Sequence, residues 1–212
     1  MYRSEGAAPA AGARRAPWSG RAPTTETISA RDKIVDATLS CIRQYGIERT
    51  SISAVAACAG VSRPTVYAYF PTRDAMVAAA MERSGAAVAS RVVASARRRA
   101  RTAGEFAVEA LVVARREFRK EPAFYPISHA RTDPWATDQR LTEESLALTR
   151  SILEPIVDYD PRLAPHLDEI TETLVRWLLS LLMYDTKRTS NEARLRAYLR
   201  RMVEPMIDAA GS

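Results

Sequence analysis

An all-α fold is predicted by three observations. Apolar residues recur at three- and four-residue steps from residue 29 onward, helix-start and helix-stop residues bracket each such run, and no segment alternates apolar with polar residues around a hairpin turn. No internal repeat is evident. The chain has 212 residues, 47% hydrophobic and 26% charged, which is ordinary for a globular protein. Two cysteines are too few for a disulfide scaffold or a multi-cysteine zinc site. There is no apolar run of about 18 residues. The stretch from Ala7 to Ala13 is too short, and too interrupted by Pro9 and Gly12, for a secretory h-region. No membrane span and no signal peptide are therefore expected, and a cytoplasmic location with reduced thiols follows.

Three segments are predicted. Residues 1–28 read as a flexible basic tail, because Pro9, Pro17 and Pro23 forbid a continuous helix and the composition buries little. This tail is either inert or an arm that follows a DNA backbone. Residues 29–75 hold three short helices. Ser29 to Asp32 resembles a capping box, and Ile34, Thr38, Cys41, Ile42 and Tyr45 form one stripe ended by Gly46. A helix starting after Thr50 or Ser51 turns Ile52, Val55 and Ala56 inward and breaks at Gly60. Ser62 caps the next, with Pro64 in its first turn and Pro71 as its stop. Residues 76–212 hold the rest. Thr72 caps a long helix towards Arg99, and Glu105 to Lys120 forms another. Residues 121–136 read as a loop or short helix. Asp133-Pro134 and Asp160-Pro161 look like helix starts, and Pro155 should kink or end the run from Leu141 to Asp158. A helix over 166–185 is apolar on nearly every face between Leu174 and Tyr184. Thr189 to Glu192 is read as a capping box opening the last helix.

Charge is uneven. Residues 1–75 carry 10 Lys/Arg against 6 Asp/Glu, a net of +4; residues 76–104 carry 6 against 1, net +5; residues 105–212 carry 15 against 18, net −3. A basic first half suits a polyanion. Within it, Ser51 to Phe70 has helix-turn-helix spacing about Gly60. The second helix opens with Ser62, Arg63, Pro64 and Thr65, small polar groups able to reach base edges, and Arg63 can bond guanine in bidentate fashion. Tyr67, Tyr69 and Arg73 have heads suited to phosphate, and the helix start at Thr72 could hold another.

These residues resemble the N-terminal DNA-binding domain of TetR-family transcriptional regulators. The resemblance rests on R-D-K-I-V-D-A-T at 31–38, Y-G at 45–46, T-S at 50–51, A-G-V-S at 59–62, P-T-V-Y at 64–67, Y-F at 69–70 and T-R-D-A at 72–75. It implies a recognition helix at 62–70 with Arg63 and Thr65 as base readers. It also implies phosphate contacts from Thr50 or Ser51, Tyr67, Tyr69 and Arg73. Ser53 and Ala54 stand where the family often carries Arg then Asp, so fewer base contacts are expected from the first helix of the pair. The family further implies a helical effector-binding and dimerisation bundle over 76–212. The expected partners are thus double-stranded DNA with an inverted-repeat operator, a small-molecule effector and a second copy, with no membrane.

The remaining residues carry weaker signals. His129 and His166 lack partner spacing, so neither a catalytic site nor a metal site is expected, and no cofactor is implied. Cys41 and Cys58 are read as buried core thiols. Arg97, Arg98, Arg99 and Arg101 encircle a helix end and read as a solvated terminus. Phe118, Phe124, Tyr125, His129, Trp135 and Trp177 are the candidate pocket lining, which would suit a lipophilic effector. The last two helices, about 166–186 and 190–208, are the candidate homodimer interface. The functional expectation is a repressor released from its operator by that effector. The alternative is a helix-turn-helix protein regulated by a partner, or without any effector, which a sealed C-terminal core would favour. A helical enzyme would need clustered acids and bases, and none is legible.

Overall fold

The structure is a computed structural model that describes residues 25–121 and 143–212. Its elements are α1 (Thr25–Tyr45), α2 (Ile52–Ala59), α3 (Arg63–Tyr69), α4 (Arg73–Arg99), α5 (Ala103–Lys120), α6 (Glu143–Leu153), α7 (Ile156–Tyr159), a 3-10 turn (Pro161–His166), α8 (Leu167–Met183), α9 (Glu192–Met202) and α10 (Glu204–Ala210). No strand occurs among the described residues. The expectations for residues 1–24, for 122–136 and for Phe124, Tyr125, His129 and Trp135 fall outside them.

Local chemistry explains most boundaries. Gly46 and Gly60 take left-handed conformations, φ +82° and +67°, which end α1 and α2 and which a side chain would strain. The hydroxyls of Ser51, Ser62, Thr72 and Thr102 each accept from a backbone N–H three residues on, satisfying a donor the helix start leaves free. Asp160 caps the 3-10 turn through Arg162 N, with Pro161 in its first position.

Several boundaries differ from expectation. α1 begins at Thr25 rather than at Ser29, since nothing after Pro23 in the sequence opposes a helix. Tyr45 leaves the apolar stripe and is exposed. α5 begins at Ala103, so Gly104 lies within it. There a Cβ would stand 3.1 Å from the Glu204 Cα, a close approach that requires glycine. The cap of α9 is Asn191, not Thr189; Thr189 is buried, its hydroxyl accepting from Thr186 N. The terminal helix divides at Val203, because Pro205 removes an N–H from the ladder and its ring crowds the preceding turn.

Two cores form, and α4 serves both. The N-terminal core gathers Ile34, Val35, Ile42, Val55, Val66, Phe70, Met76 and Ala80; the C-terminal core includes Val88, Val92, Phe106, Leu111, Ile156, Leu174 and Leu195. Met81 packs against both. The two cores thus meet along α4 near residue 81. α5 runs through the centre of the C-terminal part, buried from Phe106 to Arg115, where Ala107, Ala110 and Ala114 allow close neighbours. Its two buried charges are matched. Glu109 accepts from both Arg196 Nε and Nη2, and Arg115 donates to the Leu181 carbonyl at 3.0 Å and to Asp185. Burial first, then neighbouring Arg119, lowers the proton affinity of Arg115.

Candidate nucleic-acid interface

The α2–α3 pair is held from behind. Ile52, Val55, Ala56 and Val66 are buried against α1, and Val61 N donates to Ala56 O at 3.0 Å across the turn. Four consecutive helix starts and stops, at Ser51, Gly60, Ser62 and Phe70, fix α3 as two turns projecting from that core. The outward face of α3 carries Arg63, Pro64, Tyr67 and Ala68, all exposed, with Tyr67 47% accessible. Ser53 is exposed on α2.

Other candidate residues face differently. Ser62 Oγ accepts from Thr65 N at 3.2 Å and lies 2.8 Å from Thr65 Oγ1, so these hydroxyls cap α3 while Thr65 is half-buried. Ser51 and Thr72 are likewise exposed caps. Thr50 is buried and its hydroxyl donates to Gly46 O at 2.9 Å, which removes it from the surface. Tyr69 is half-buried against the N-terminal core.

Arg73 departs most from its expected part. Its Nε donates to Thr50 O at 2.7 Å, Nη2 donates to Ile47 O, and Nη1 reaches Asp74 Oδ1 at 3.0 Å. The guanidinium is turned onto the α1–α2 loop and ties that loop to the start of α4. It is a positioning residue for the helix-turn-helix. Asp74, exposed in the first turn of α4, further opposes an anion at that helix start.

Arg31 is a basic group that spacing did not single out. Its guanidinium lies 5.3 Å from the ring centroid of Phe70, the residue closing α3. An Arg ahead of an apolar stripe carries no sequence signal for such a contact. Cys41 is buried as expected, but Cys58 is exposed in the last turn of α2.

The candidate pocket residues separate. Phe118 lines a small cavity with Ala110, Leu111, Ala114, Leu148 and Leu174, of about 30 Å³. Trp177 instead stacks on Tyr198, centroids 6.0 Å apart, in an open groove of about 490 Å³ between α8 and α9 that also includes Tyr184. Successive positions on α8 face different sides, so Leu178 lines the cavity and Trp177 the groove. Among the described residues no group of three His, Cys, Asp or Glu could hold a metal, and no helix is long and apolar enough to cross a membrane.

Residues 34–80 match the family described as bacterial regulatory proteins, tetR family. The chain is 39% identical over 56 residues to an uncharacterised HTH-type transcriptional regulator of Mycobacterium bovis, a stretch covering 26% of this chain and 30% of that protein. It is 47% identical over 45 residues to another from Mycobacterium tuberculosis, covering 21% and 24%. The match thus spans under a third of each curated relative. Among solved structures, the chain resembles the TetR family repressor AlkX of Dietzia sp. strain DQ12-45-1b, implicated in biodegradation of n-alkanes. The TM-score is 0.60 and the identity 16%, over 86% of this chain and 97% of that one. A tetR-family transcriptional regulator from Streptomyces coelicolor gives 0.56 and 19%, over 87% and 82%. Fold and surface define the class, an all-helical protein with an N-terminal helix-turn-helix. Within that class, the likeness to the TetR family rests on residues 34–80, and the fold of the chain is similar to that of the TetR-family structures.

Proposed function

We propose that the protein is a sequence-specific DNA-binding transcriptional regulator acting as a homodimer, a repressor that an apolar effector releases from its operator. The observation that carries DNA binding is α3, a rigidly capped helix whose exposed face presents Arg63 and Tyr67 from a basic half of the chain. Arg63 reads a base and Tyr67 bonds phosphate; Ser51, Ser53 and Thr72 border the same face. Two such helices related by a two-fold axis meet half-sites about 34–36 Å apart or a multiple of that.

The α8–α9 groove supports the dimer. Trp177, Tyr184 and Tyr198 form an aromatic face with Tyr184 62% exposed, which a second copy would cover. The cavity beside Phe118 supports an apolar effector by its lining, but about 30 Å³ is room for a single water. An effector would therefore part α5, α6 and α8 as it enters. That tightness favours a second reading, regulation by a partner or without any small molecule.

The test is fluorescence anisotropy with a duplex selected from a random pool by the wild-type protein. Binding that weakens steeply with salt and vanishes for scrambled duplexes supports the proposal. Failure to enrich any sequence overturns it. Thermal shift with dodecanoic acid separates the effector reading from the effector-free one.

A further inference from the structure

Three arginine–carboxylate contacts meet around the last turn of α5. Glu117 accepts from Arg91 of α4 at 2.8 Å and from Arg116 at 3.1 Å. Burial acts to raise the Glu117 pKa, yet the two guanidiniums hold it below the usual carboxylate range. One turn further on, Glu121 accepts two parallel bonds from Arg43, Nε to Oε1 and Nη2 to Oε2, each 3.1 Å. Glu117 and Glu121 lie four residues apart and so on one side of the helix end. One grips α4; the other grips α1, 78 residues away in sequence.

Arg43 lies in the last turn of α1, just before the loop whose Ile47 and Thr50 carbonyls Arg73 binds. Loop and α2 follow directly from α1, and α2 and α3 pack as one unit upon it. Moving the end of α1 therefore moves the helix-turn-helix. On the other side, α5 is a continuous helix, buried from Phe106 to Arg115, and Phe118, three residues before Glu121, lines the small apolar cavity. A displacement at Phe118 reaches Glu121 along less than one helical turn.

We propose that Arg43 and Glu121 are a positioning pair through which the end of α5 sets the orientation of α1 and, with it, of the α2–α3 face. This deepens the DNA-binding reading and rests on it for its regulatory meaning. The α4 rod carries most of the connection between the two cores. The pair adds a second, weaker tether offset from that rod, which resists rotation about it. A fork-to-fork arginine–carboxylate geometry suits this role because it fixes angle as well as distance. With Arg43 about half exposed, the pair biases orientation and does not hold the fold together.

The experiment is hydrogen–deuterium exchange of the full chain without DNA or effector, on wild type, Arg43→Gln, Glu121→Gln and the double variant. The expected result for Glu121→Gln is two- to fivefold faster exchange in residues 43–50, far from the substitution in sequence. Arg43→Gln should equally quicken exchange at 117–121, and the double variant should exchange no faster than either single one. The selected duplex supplies a readout that mere stability would not move. Both single variants should change its dissociation constant by the same factor, with unchanged melting temperature. Unchanged exchange across the pair, or effects that add in the double variant, overturns the proposal. A wild-type protein that binds no duplex refutes the DNA reading separately, and exchange alone then decides the tether.

Discussion

Arg63 and Arg73 open α3 and α4 and are put to opposite uses. Arg63 leaves the first turn of α3 into solvent, whereas Arg73 spends its donors on two loop carbonyls and Asp74. Arg63→Ala should relax preference at one base position by about 1–3 kcal/mol while leaving the unfolding midpoint unchanged, read by anisotropy on single-base duplex variants. Arg73→Ala should behave in reverse. It removes two charge-assisted bonds to buried-side carbonyls, worth about 2 kcal/mol together after discounting for partial exposure, and urea unfolding will register the loss. Equal stability of the two variants would refute this division. Sequence spacing could not separate these arginines, because both follow a helix-capping hydroxyl by one position. What separates them is that the α1–α2 loop comes within reach of one of them.

At the scale of elements, caps and turn glycines were legible because each acts within four residues of itself. Ser62→Ala should cost about 1 kcal/mol and loosen α3, seen as weaker duplex binding together with a lower unfolding midpoint. Misplaced boundaries are those that distant contacts decide. Thr189 looks like a cap, yet it is buried among its own loop's polar groups and Asn191 takes the role. Glu204, in the first turn of α10, lies against Gly104 of α5, and among the described residues its Oε1 is buried without a hydrogen bond; Arg200 Nε is 3.7 Å away, a charge contact only. Burial first, then Glu105 and Asp208, raises its pKa above the usual carboxylate value, against the pull of Arg200. The folded state therefore resists losing this proton. The stability tied to it is present below the ordinary carboxylate pKa and is lost as pH rises through the raised one. Glu204→Gln should be more stable than wild type at pH 7 and equal to it near pH 4, by urea midpoints at the two values. A difference that persists unchanged at pH 4 would assign the effect to packing.

For the whole molecule, α4 is the element that joins function to architecture. Its first turns complete the N-terminal core and its remainder packs on α5, while Arg83 pairs with Asp32 and Asp36 of α1. Trp177→Glu should convert the proposed dimer to a monomer in sedimentation velocity while retaining helicity, since the groove is open and tolerates charge. Loss of the helical signal would instead show that Trp177 supports the chain's own core. The helical class, the turn at Gly60, the capped start of α3 and the family resemblance were all determined by the sequence alone, since each depends on local periodicity or on residues within one turn. Only the tertiary structure decided that Arg73 serves the loop, that Phe118 and Trp177 face different spaces, and that Arg43 meets Glu121. Those outcomes depend on which side chains distant segments bring within a few ångströms, and such proximity leaves no trace in spacing along the chain.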